Sequence, residues 1–368
     1  MECDTDVFVV GGGPAGLAAA IAARQKGFRV MLADGAKPPI TKACGEGLLP
    51  DALAALRELG VELREEDGRA LRGIRFENDG SSMNGCFPEG HGLGVRREVL
   101  HQRMVERAGD CDVSFLWNTP VMGLFEEGVV AGGKRIWAKW VIGADGSGSR
   151  VRRWSGLESF GVQRRRFAFR THYCLEPWND FTEIHWAEGA QAYVTPVGPR
   201  EICIVLISEE QELRFDGCLL RFPKLAERLK GAGRASAERG AVTGMARLKR
   251  VYRGNVGLIG DASGAVDAIT AEGLSLSFRQ ANALAHALEA GELREYQEAH
   301  RRMSRRPWLV GNLLLLLGRQ TGLRNRTMRS LEAAPQLFER MLAYQMGETR
   351  PLKLATAGAI FGWKFLAA

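Results

Sequence analysis

Three glycines near the N-terminus have the spacing of a pyrophosphate-binding turn. Gly11 permits a tight turn, Gly13 allows a pyrophosphate to approach the backbone, and Gly16 lets the next helix pack closely on a sheet. Asp34 follows Gly16 by eighteen residues, where a carboxylate can accept hydrogen bonds from a ribose. Together the four residues predict dinucleotide binding, whereas the glycines alone would indicate no more than a tight turn.

A strand, a helix and a second strand must hold these residues in place, and the sequence predicts them in that order. Residues 7–10 form an apolar run that leads into the glycines, and Pro14 and Ala15 open an alanine-rich helix. The N–H groups at the start of such a helix are free to bind an anion. A second apolar run, residues 30–33, ends directly at Asp34.

Two later segments repeat the pattern of a buried strand that runs into a glycine turn. Residues 139–143 lead into a turn that contains Asp145, and residues 257–259 lead into Gly260 and Asp261. Such repetition is hard to produce by chance. The repeated pattern predicts that the chain returns to its first domain at each of these two segments.

The middle and the end of the chain follow two other patterns. Residues 167–208 alternate with period two, which predicts antiparallel strands that form one wall of a pocket. Helices are predicted at 293–305, 308–317 and 335–344. The leucines at 313–317 form a run far shorter than the roughly 20 residues that span a bilayer, so this helix is predicted to be buried or to dip into an interface.

Composition excludes several classes of protein. The seven cysteines include no CxxC pair, which suits reduced thiols, and the six histidines show no metal-ligand spacing. We therefore expect neither disulfides nor a structural metal. The acidic start of the chain has no signal-peptide pattern, which predicts a cytoplasmic protein.

The net charge of +7 is concentrated toward the C-terminus, where arginines are frequent from Arg294 to Arg350. These arginines alternate with leucine-rich helix, so we expect no nucleic-acid partner. A solvated helical face is one interpretation. A peripheral face that rests on anionic lipid headgroups is the other.

Three motifs stand in order: GGGPAG at 11–16, GADGSGSRVR at 143–152 and GLIGDASGAVDAITAEG at 257–273. They resemble the FAD-dependent oxidoreductases of the para-hydroxybenzoate hydroxylase fold, which include aromatic hydroxylases, flavin halogenases and geranylgeranyl reductases. The resemblance implies an α/β fold with a Rossmann-like FAD-binding domain, an interleaved, mostly antiparallel β-sheet substrate domain and a helical C-terminus. The implied ranges are 1–75, 96–160 and 250–290 for the FAD-binding domain, 76–95 and 161–249 for the substrate domain, and 291–368 for the C-terminal helical region.

The same resemblance implies that FAD lies along all three motifs. Asp145 would brace the first glycine turn near the pyrophosphate, and Asp261, after Gly260, would bond a ribityl hydroxyl. Gly273 begins a helix whose positive end would face the N1/O2 edge of the flavin. Arg97 stands where the family often has a polar residue that touches FAD, although a surface arginine is the alternative.

The loop from Cys44 to Leu48 separates branches of the family. It resembles the Cys-Gly-Gly stretch of the geranylgeranyl reductases, whereas many phenol hydroxylases have an arginine there. The resemblance implies that the loop passes close to the flavin, with Glu46 near the reaction centre. Cys44 is a candidate catalytic residue or a small buried hydrophobe.

The middle sheet supplies the candidates for substrate contact. His172 and Tyr193 are the first choices, and His185 and Thr195 are also expected to face the pocket; a structural histidine is the alternative. The strand around Tyr193 lacks the Trp and Phe of the reductases' substrate motif, and Asp267 is followed by Ala where the family usually has Pro. The Trp-x-Trp-x-Ile-Pro motif of the halogenases is absent.

The amino-acid sequence of this domain looks most like that of flavoproteins linked to bacterial type III polyketide pathways. This resemblance implies an amphipathic phenolic or polyene lipid substrate. The favoured function is an NAD(P)H-consuming monooxygenase that binds the nicotinamide only transiently. A flavin-dependent reductase of prenyl or polyene double bonds is the alternative. A non-catalytic flavin-holding scaffold is the third hypothesis.

Overall fold

The apolar runs form strands, and the alanine- and leucine-rich segments form helices, in the computed structural model, which describes residues 3–78, 81–157 and 159–347. The last part of the predicted C-terminal region, 348–368, lies outside the described residues. In chain order, the strands are β1 (Thr5–Val10), β2 (Val30–Ala33), β3 (Gly47–Leu48), β4 (Gly68–Leu71), β5 (Gly73–Asn78), β6 (Ser81–Cys86), β7 (Gly92–Val95), β8 (Ser114–Leu116), β9 (Val121–Phe125), β10 (Gly128–Ala131), β11 (Lys134–Gly143), β12 (Ser159–Tyr173), β13 (Phe181–Ala187), β14 (Ala190–Gly198), β15 (Glu201–Ser208), β16 (Arg239–Leu248), β17 (Tyr252–Arg253), β18 (Val256–Leu258) and β19 (Gly264–Ala265). The helices are α1 (Pro14–Gln25), α2 (Pro50–Glu58), α3 (Arg97–Asp110), α4 (Arg150–Trp154), α5 (Phe215–Leu219), α6 (Pro223–Leu229), α7 (Gly273–Ala290), α8 (Leu293–Arg319), α9 (Thr321–Glu332) and α10 (Pro335–Gln345).

A mostly parallel sheet brings the three glycine motifs together. Its strand order is β17-β18-β11-β1-β2-β8, with β10 and β9 added beside β11. β1 runs parallel to β2 and β11, and β11 runs parallel to β18. Val7, Phe8 and Val9 in β1 are completely buried, as expected for the middle of a parallel sheet. Because parallel strands end at the same edge, the turns after β1, β11 and β18 lie side by side.

The period-two segment forms a second sheet, whose order is β19-β16-β12-β15-β14-β13-β5-β6. Neighbouring strands are antiparallel except for β13 and β5. One face packs on α5 and α6 through Phe169, Ile204 and Leu206. The opposite face packs on α9 and α10. The predicted domain boundaries at 75/76 and 160/161 fall inside β5 and β12.

The C-terminal helices differ from the predicted ones. The predicted helices 293–305 and 308–317 are one continuous helix, α8, with Pro307 inside it. Proline disfavours a helix interior, but Pro307 and Leu317 are buried, and this packing outweighs the local signal. The sequence reading also missed α9, which packs beside α8 and α10. No helix among the described residues has both the length and the apolar character needed to cross a membrane.

Candidate functional site

The glycine turn after β1 is held by two side chains from outside it. The backbone N–H of Gly12 donates to Asp34 Oδ2 at 2.7 Å, and that of Ala36 donates to Oδ1 at 2.8 Å. His101 in α3 is completely buried and donates from Nε2 to the Gly12 carbonyl at 2.8 Å. Burial lowers the pKa of His101, which keeps the ring neutral. The sequence reading missed His101, whose only signal is a polar residue in the buried stripe of an amphipathic helix.

The three predicted glycines differ in what surrounds them. A Cβ atom added at Gly16 would lie 1.8 Å from the Gly11 carbonyl oxygen, and one added at Gly11 would lie 2.5 Å from the Ala144 carbonyl oxygen. Backbone therefore needs the space at both positions. At Gly13, apart from its two chain neighbours, no described residue has an atom within 4 Å of an added Cβ. The space in front of Gly13, at the start of α1, is open to a ligand.

Asp145 caps a helix, which corrects its expected role. Its carboxylate accepts from Ser149 Oγ at 2.5 Å and from the backbone N–H groups of Arg150 at 2.6 Å and Val151 at 3.1 Å. These bonds hold the start of α4. The second motif does contact the first turn, but through backbone, because the N–H of Ala144 donates to the carbonyl of Val10 at 2.8 Å.

The third motif lies against the start of α1. Gly260 has a φ of 60°, and a Cβ there would lie 2.7 Å from the side chain of Ala15, so only glycine allows this approach. Asp261 forms an ion pair with Lys42 at 2.8 Å, a partner that the sequence reading missed. Both side chains remain partly exposed to the cavity. Helix α7 begins at Gly273, and the N-terminal end of this helix also lines the cavity.

The residues predicted to bind the cofactor surround one continuous cavity of 1160 Å³. Arg97, the first residue of α3, lines this cavity, and its Nε is buried without a hydrogen-bond partner among the described residues. A buried guanidinium nitrogen without a partner is costly, so it suits a polar ligand. The open space at Gly13 and the Arg97 Nε without a hydrogen-bond partner both fit FAD. The predicted cofactor residues that line the cavity are Gly11, Gly13, Pro14, Ala15, Asp34, Arg97, Asp145, Asp261 and Gly273, while Gly16 and Gly260 support the turns behind it.

Beyond the cofactor groove, the cavity extends between the second sheet and the C-terminal helices. Its walls there are mostly apolar, and they come from the sheet face of β5, β6 and β12–β15 and from α8, α9 and α10. Representative side chains are Phe76, Met83, Ala168, Ile184, Val205, Ile207, Leu314, Met328, Leu331, Phe338 and Leu342.

Four buried polar atoms interrupt this apolar wall. The Tyr193 hydroxyl, Thr195 Oγ1, Asp267 Oδ2 and Trp186 Nε1 have no hydrogen-bond partner within the described part of the chain. All four residues line the cavity. The other carboxylate oxygen of Asp267 pairs with Arg166 at 2.7 Å. Burial raises the pKa of the Tyr193 hydroxyl far above its usual range, so it remains a hydrogen-bond donor.

The Cys44–Leu48 loop lies where the cofactor groove meets the second sheet. Cys44 and Glu46 both line the cavity, and a Cβ on Gly47 would lie 3.7 Å from the Thr195 methyl group. Glu46 has a φ of 59° and is buried. It accepts a hydrogen bond from His172 Nε2 at 2.6 Å. The structure thus brings three of the four predicted catalytic residues to one place, with Tyr193 further along the same sheet face.

Both predicted histidines need correction. His172 is on the correct sheet face but lies behind Glu46 and does not line the cavity, so it contacts Glu46 instead of a substrate. His185 points to the opposite face, where it bonds Glu183 at 2.8 Å. Side chains alternate along a strand, and Ile184 and Trp186 take the cavity side. The sequence analysis missed Trp186. It directly follows His185, so the alternation of side chains along a strand places these two residues on opposite faces.

The fold and the groove are those expected of an FAD-binding protein. Residues 4–172 match the family described as FAD binding domain. A flavoprotein/dehydrogenase from Cytophaga hutchinsonii has a similar structure, with a TM-score of 0.81 and 18% identity, over 93% of this chain and 92% of that one. Residues 4–172 thus contain an FAD-binding domain, the chain is similar to FAD-dependent flavoproteins, and the predicted α/β fold is confirmed.

Two curated relatives have different activities in their names. Menaquinone reductase from Mycobacterium tuberculosis (strain ATCC 25618 / H37Rv) is 28% identical over 333 residues, which cover 80% of this chain and 78% of that protein. The 6-methylpretetramide 4-monooxygenase from Streptomyces rimosus is 35% identical over 171 residues, 42% of this chain and 41% of that protein. The relatives therefore include both a reductase and a monooxygenase.

Proposed function

We propose that the protein is an FAD-dependent, NAD(P)H-consuming monooxygenase that acts on an aromatic or polyketide-derived lipid. The observation that carries this proposal is the set of partner-free polar atoms in an otherwise apolar cavity that is continuous with the FAD groove. The nicotinamide would bind transiently as reductant, and the bound FAD would supply the oxygen-transfer chemistry. The chain's own residues bind and orient the substrate and exclude water.

The apolar part of the cavity favours a substrate with a hydrocarbon tail. Its wall combines the second sheet with three helices, and Phe76 stacks on Trp186 with ring centroids 4.7 Å apart. Phe338 closes the same cluster at 5.0 Å from Phe76. Each methylene buried against such a wall stabilises the complex by about 0.8 kcal/mol.

The polar atoms favour an oxygen-bearing ring close to the flavin. The Tyr193 hydroxyl and Trp186 Nε1 can donate to a carbonyl or phenolate oxygen, and Asp267 Oδ2 can accept from a hydroxyl. Leaving a buried polar group without a partner costs about 1–3 kcal/mol. An alkyl chain at this position would leave that cost in place, whereas a ring with oxygen substituents would remove it.

Oxygen incorporation into a defined probe tests the proposal. Purified holoenzyme would receive NADPH or NADH, 5-pentadecylresorcinol as the probe, and ¹⁸O₂. We expect NAD(P)H oxidation that depends on the probe and a product that contains one ¹⁸O atom. A Tyr193→Phe variant should lower kcat/KM roughly tenfold, since one good hydrogen bond to substrate is worth about 1.4 kcal/mol. Unlabelled product would contradict the proposal.

A reductase of lipid double bonds is the second candidate. The menaquinone reductase aligns along most of this chain, while the monooxygenase aligns over less than half of it. The loop at Cys44 also resembles the reductases. In the matching assay, dithionite-reduced enzyme would be incubated anaerobically with menaquinone-4. The quinone ring would then be reoxidised in air, and mass spectrometry would detect two hydrogens retained on a side-chain double bond. A product here and none with ¹⁸O₂ would favour the reductase, and no product in either assay would favour the scaffold hypothesis.

We further propose that the protein touches an anionic membrane surface at the mouth of the cavity. Leu309 and Leu313 on α8 line the cavity, yet they are 57% and 44% exposed. Leu316 continues the same helix face, and Arg302 and Arg305 precede it at helical spacing. An exposed apolar strip with cationic neighbours complements anionic headgroups above acyl chains. A lipid substrate would then enter the cavity directly from the bilayer.

The double variant Leu309→Asp/Leu313→Asp should bind anionic vesicles at least about tenfold more weakly than the wild type. Cosedimentation with phosphatidylglycerol/phosphatidylcholine vesicles would measure this, with Leu220→Asp as the matched control because Leu220 is also exposed but lies far from the cavity, at the end of α5. Unchanged binding by the double variant would contradict the proposal. The proposal would also be contradicted if light scattering showed that the wild-type protein is a dimer whose interface covers this strip.

A further inference from the structure

Hydrogen bonds connect the cavity to the protein surface through three side chains. Glu46 lines the cavity, and its Oε2 lies 2.6 Å from His172 Nε2. His172 Nδ1 lies 2.7 Å from the Ser236 hydroxyl oxygen. Ser236 is half-buried and is followed by the exposed Ala237. We propose that Ser236, His172 and Glu46 form a proton path that carries protons from solvent into the cavity.

The direction of this path follows from Arg170. Its guanidinium can only donate hydrogen bonds, and Nη1 lies 3.1 Å from His172 Nδ1, so Nδ1 must be an acceptor. The ring proton therefore resides on Nε2 and is donated to Glu46. Ser236 Oγ accepts one hydrogen bond from the backbone N–H of His172 at 3.2 Å and another from Arg170 Nη1 at 3.3 Å. Its own hydrogen has two possible acceptors, His172 Nδ1 at 2.7 Å and the Ala237 carbonyl oxygen at 3.4 Å, and the shorter contact directs it at Nδ1. Every bond in the path then points inward.

The proton movement balances without any redox change. Water supplies a proton to Ser236 Oγ, whose hydroxyl proton moves to His172 Nδ1. The Nε2 proton moves to Glu46 Oε2, where the carboxyl group offers it to the cavity. Between turnovers, when water fills the open cavity, a proton from that water passes through Glu46 to Nε2, while Nδ1 gives up its proton through Ser236 to solvent. This exchange restores the starting tautomer and leaves the proton count unchanged. The net result is one proton taken from solvent and one delivered to the cavity.

The charged and titratable neighbours of this path are Arg170 on β12, Cys203 on β15, Cys44 in the loop and Arg96 before α3. Burial, reinforced by the charge of Glu46, raises the pKa of the Cys203 thiol well above its usual value, so Cys203 stays protonated. Glu46, His172 and Cys203 have potential metal-ligand atoms within 4.8 Å of one another. The arrangement favours proton transfer over metal binding because Nε2 carries the proton that it donates to Glu46, and a metal cation at this place would face the Arg170 guanidinium.

The need for such a path follows from stoichiometry. Hydroxylation by O₂ and NAD(P)H, and reduction of a double bond by NAD(P)H, each consume one proton from solvent. The inference rests on the proposed function only in that a proton-consuming reaction takes place in the cavity. A largely apolar cavity cannot supply that proton from its own walls.

The path can be tested without any lipid substrate. FAD-loaded protein in weak buffer would be photoreduced anaerobically, while flavin absorbance and a pH-indicator dye are followed together. In the wild type, proton uptake should keep pace with flavin bleaching. Ser236→Ala and His172→Gln should delay proton uptake about tenfold or more, the lower part of the range for a lost acid–base group. Added imidazole should restore the rate in Ser236→Ala, and Ser236→Thr should restore it without imidazole.

Two further measurements separate a proton path from a structural anchor. Ser304→Ala, a half-buried serine on α8 away from the cavity, should leave proton uptake unchanged. Nitrogen-15 NMR of the apoprotein should show His172 as the Nε2–H tautomer. The inference is overturned if Ser236→Ala takes up protons as the wild type does, if the variants lose only FAD affinity or thermal stability, or if His172 carries its proton on Nδ1. Because no lipid is present, failure of the proposed function would leave this result unaffected.

Discussion

A Gly13→Ala variant should fold as the wild type does and bind FAD roughly ten- to hundredfold more weakly. Apart from its two chain neighbours, no described residue has an atom within 4 Å of a Cβ added at Gly13, so the protein itself tolerates the methyl group. The N-terminus of α1 presents its N–H groups at this point, and a bound pyrophosphate would need the same space. Forcing a methyl group into a well-packed contact costs about 1–3 kcal/mol, which corresponds to that loss of affinity.

Two other glycine variants make this result specific. In Gly16→Ala the new methyl group would meet the Gly11 carbonyl oxygen at 1.8 Å, so thermal stability and FAD binding should fall together. In Gly109→Ala, an exposed position of α3 with open space around it, FAD binding should not change, and the helix should gain up to about 1 kcal/mol. Fluorescence titration of apoprotein with FAD and thermal melts measure both properties. A Gly13→Ala protein with wild-type affinity would mean that the pyrophosphate does not pass this glycine.

A Glu272→Gln variant should abolish a large fall in apoprotein stability between about pH 5 and pH 8. Glu272 is buried immediately before α7, and its Oε2 has no hydrogen-bond partner among the described residues. Burial, reinforced by the nearby Asp51, raises the pKa of Glu272 from 4.5 to about 8. Between these two values the folded protein holds a proton that the unfolded chain releases, so stability decreases as pH rises.

The free energy of unfolding of the wild-type apoprotein should fall by on the order of 4 kcal/mol across that pH range, since each pKa unit corresponds to about 1.4 kcal/mol. Glutamine has the same shape and no charge, so the variant should match the wild type near pH 5 and exceed its stability at pH 8. Urea unfolding of both proteins at several pH values gives this difference, and other titrating groups cancel from it. Glu292→Gln, at an exposed position, is the matched control. A constant difference between wild type and Glu272→Gln at all pH values would contradict the burial argument.

The cofactor half of the site was largely predictable, because each of its motifs is local. A glycine turn, the strand before it and the helix after it occupy some thirty residues, and the physical reason for each glycine can be stated from sequence. Even so, Asp145 was assigned to the wrong contact. Its carboxylate found nearer donors in the Ser149 hydroxyl and in the backbone N–H groups of Arg150 and Val151, all within six residues along the chain.

The substrate half was predicted less well, because its residues meet only across the sheet. Period-two alternation identifies two faces, but it does not say which face turns toward the cavity. His172 and His185 were both expected to face the pocket. They lie on different strands, β12 and β13, so their spacing along the chain does not say whether they share a face. The register pairs Ile184 with Tyr193 and His172 with Cys203, which fixes these faces.

The sequence by itself predicted an α/β fold with an FAD-binding domain, since local turns and their spacing carry that information. Only the tertiary structure decided what surrounds the substrate space. It placed Asp267, Trp186 and Tyr193 in one cavity, and it connected Glu46 through His172 to Ser236, a residue 190 positions further along the chain than Glu46. Such contacts depend on strand register and sheet packing, which no local pattern of residue types encodes.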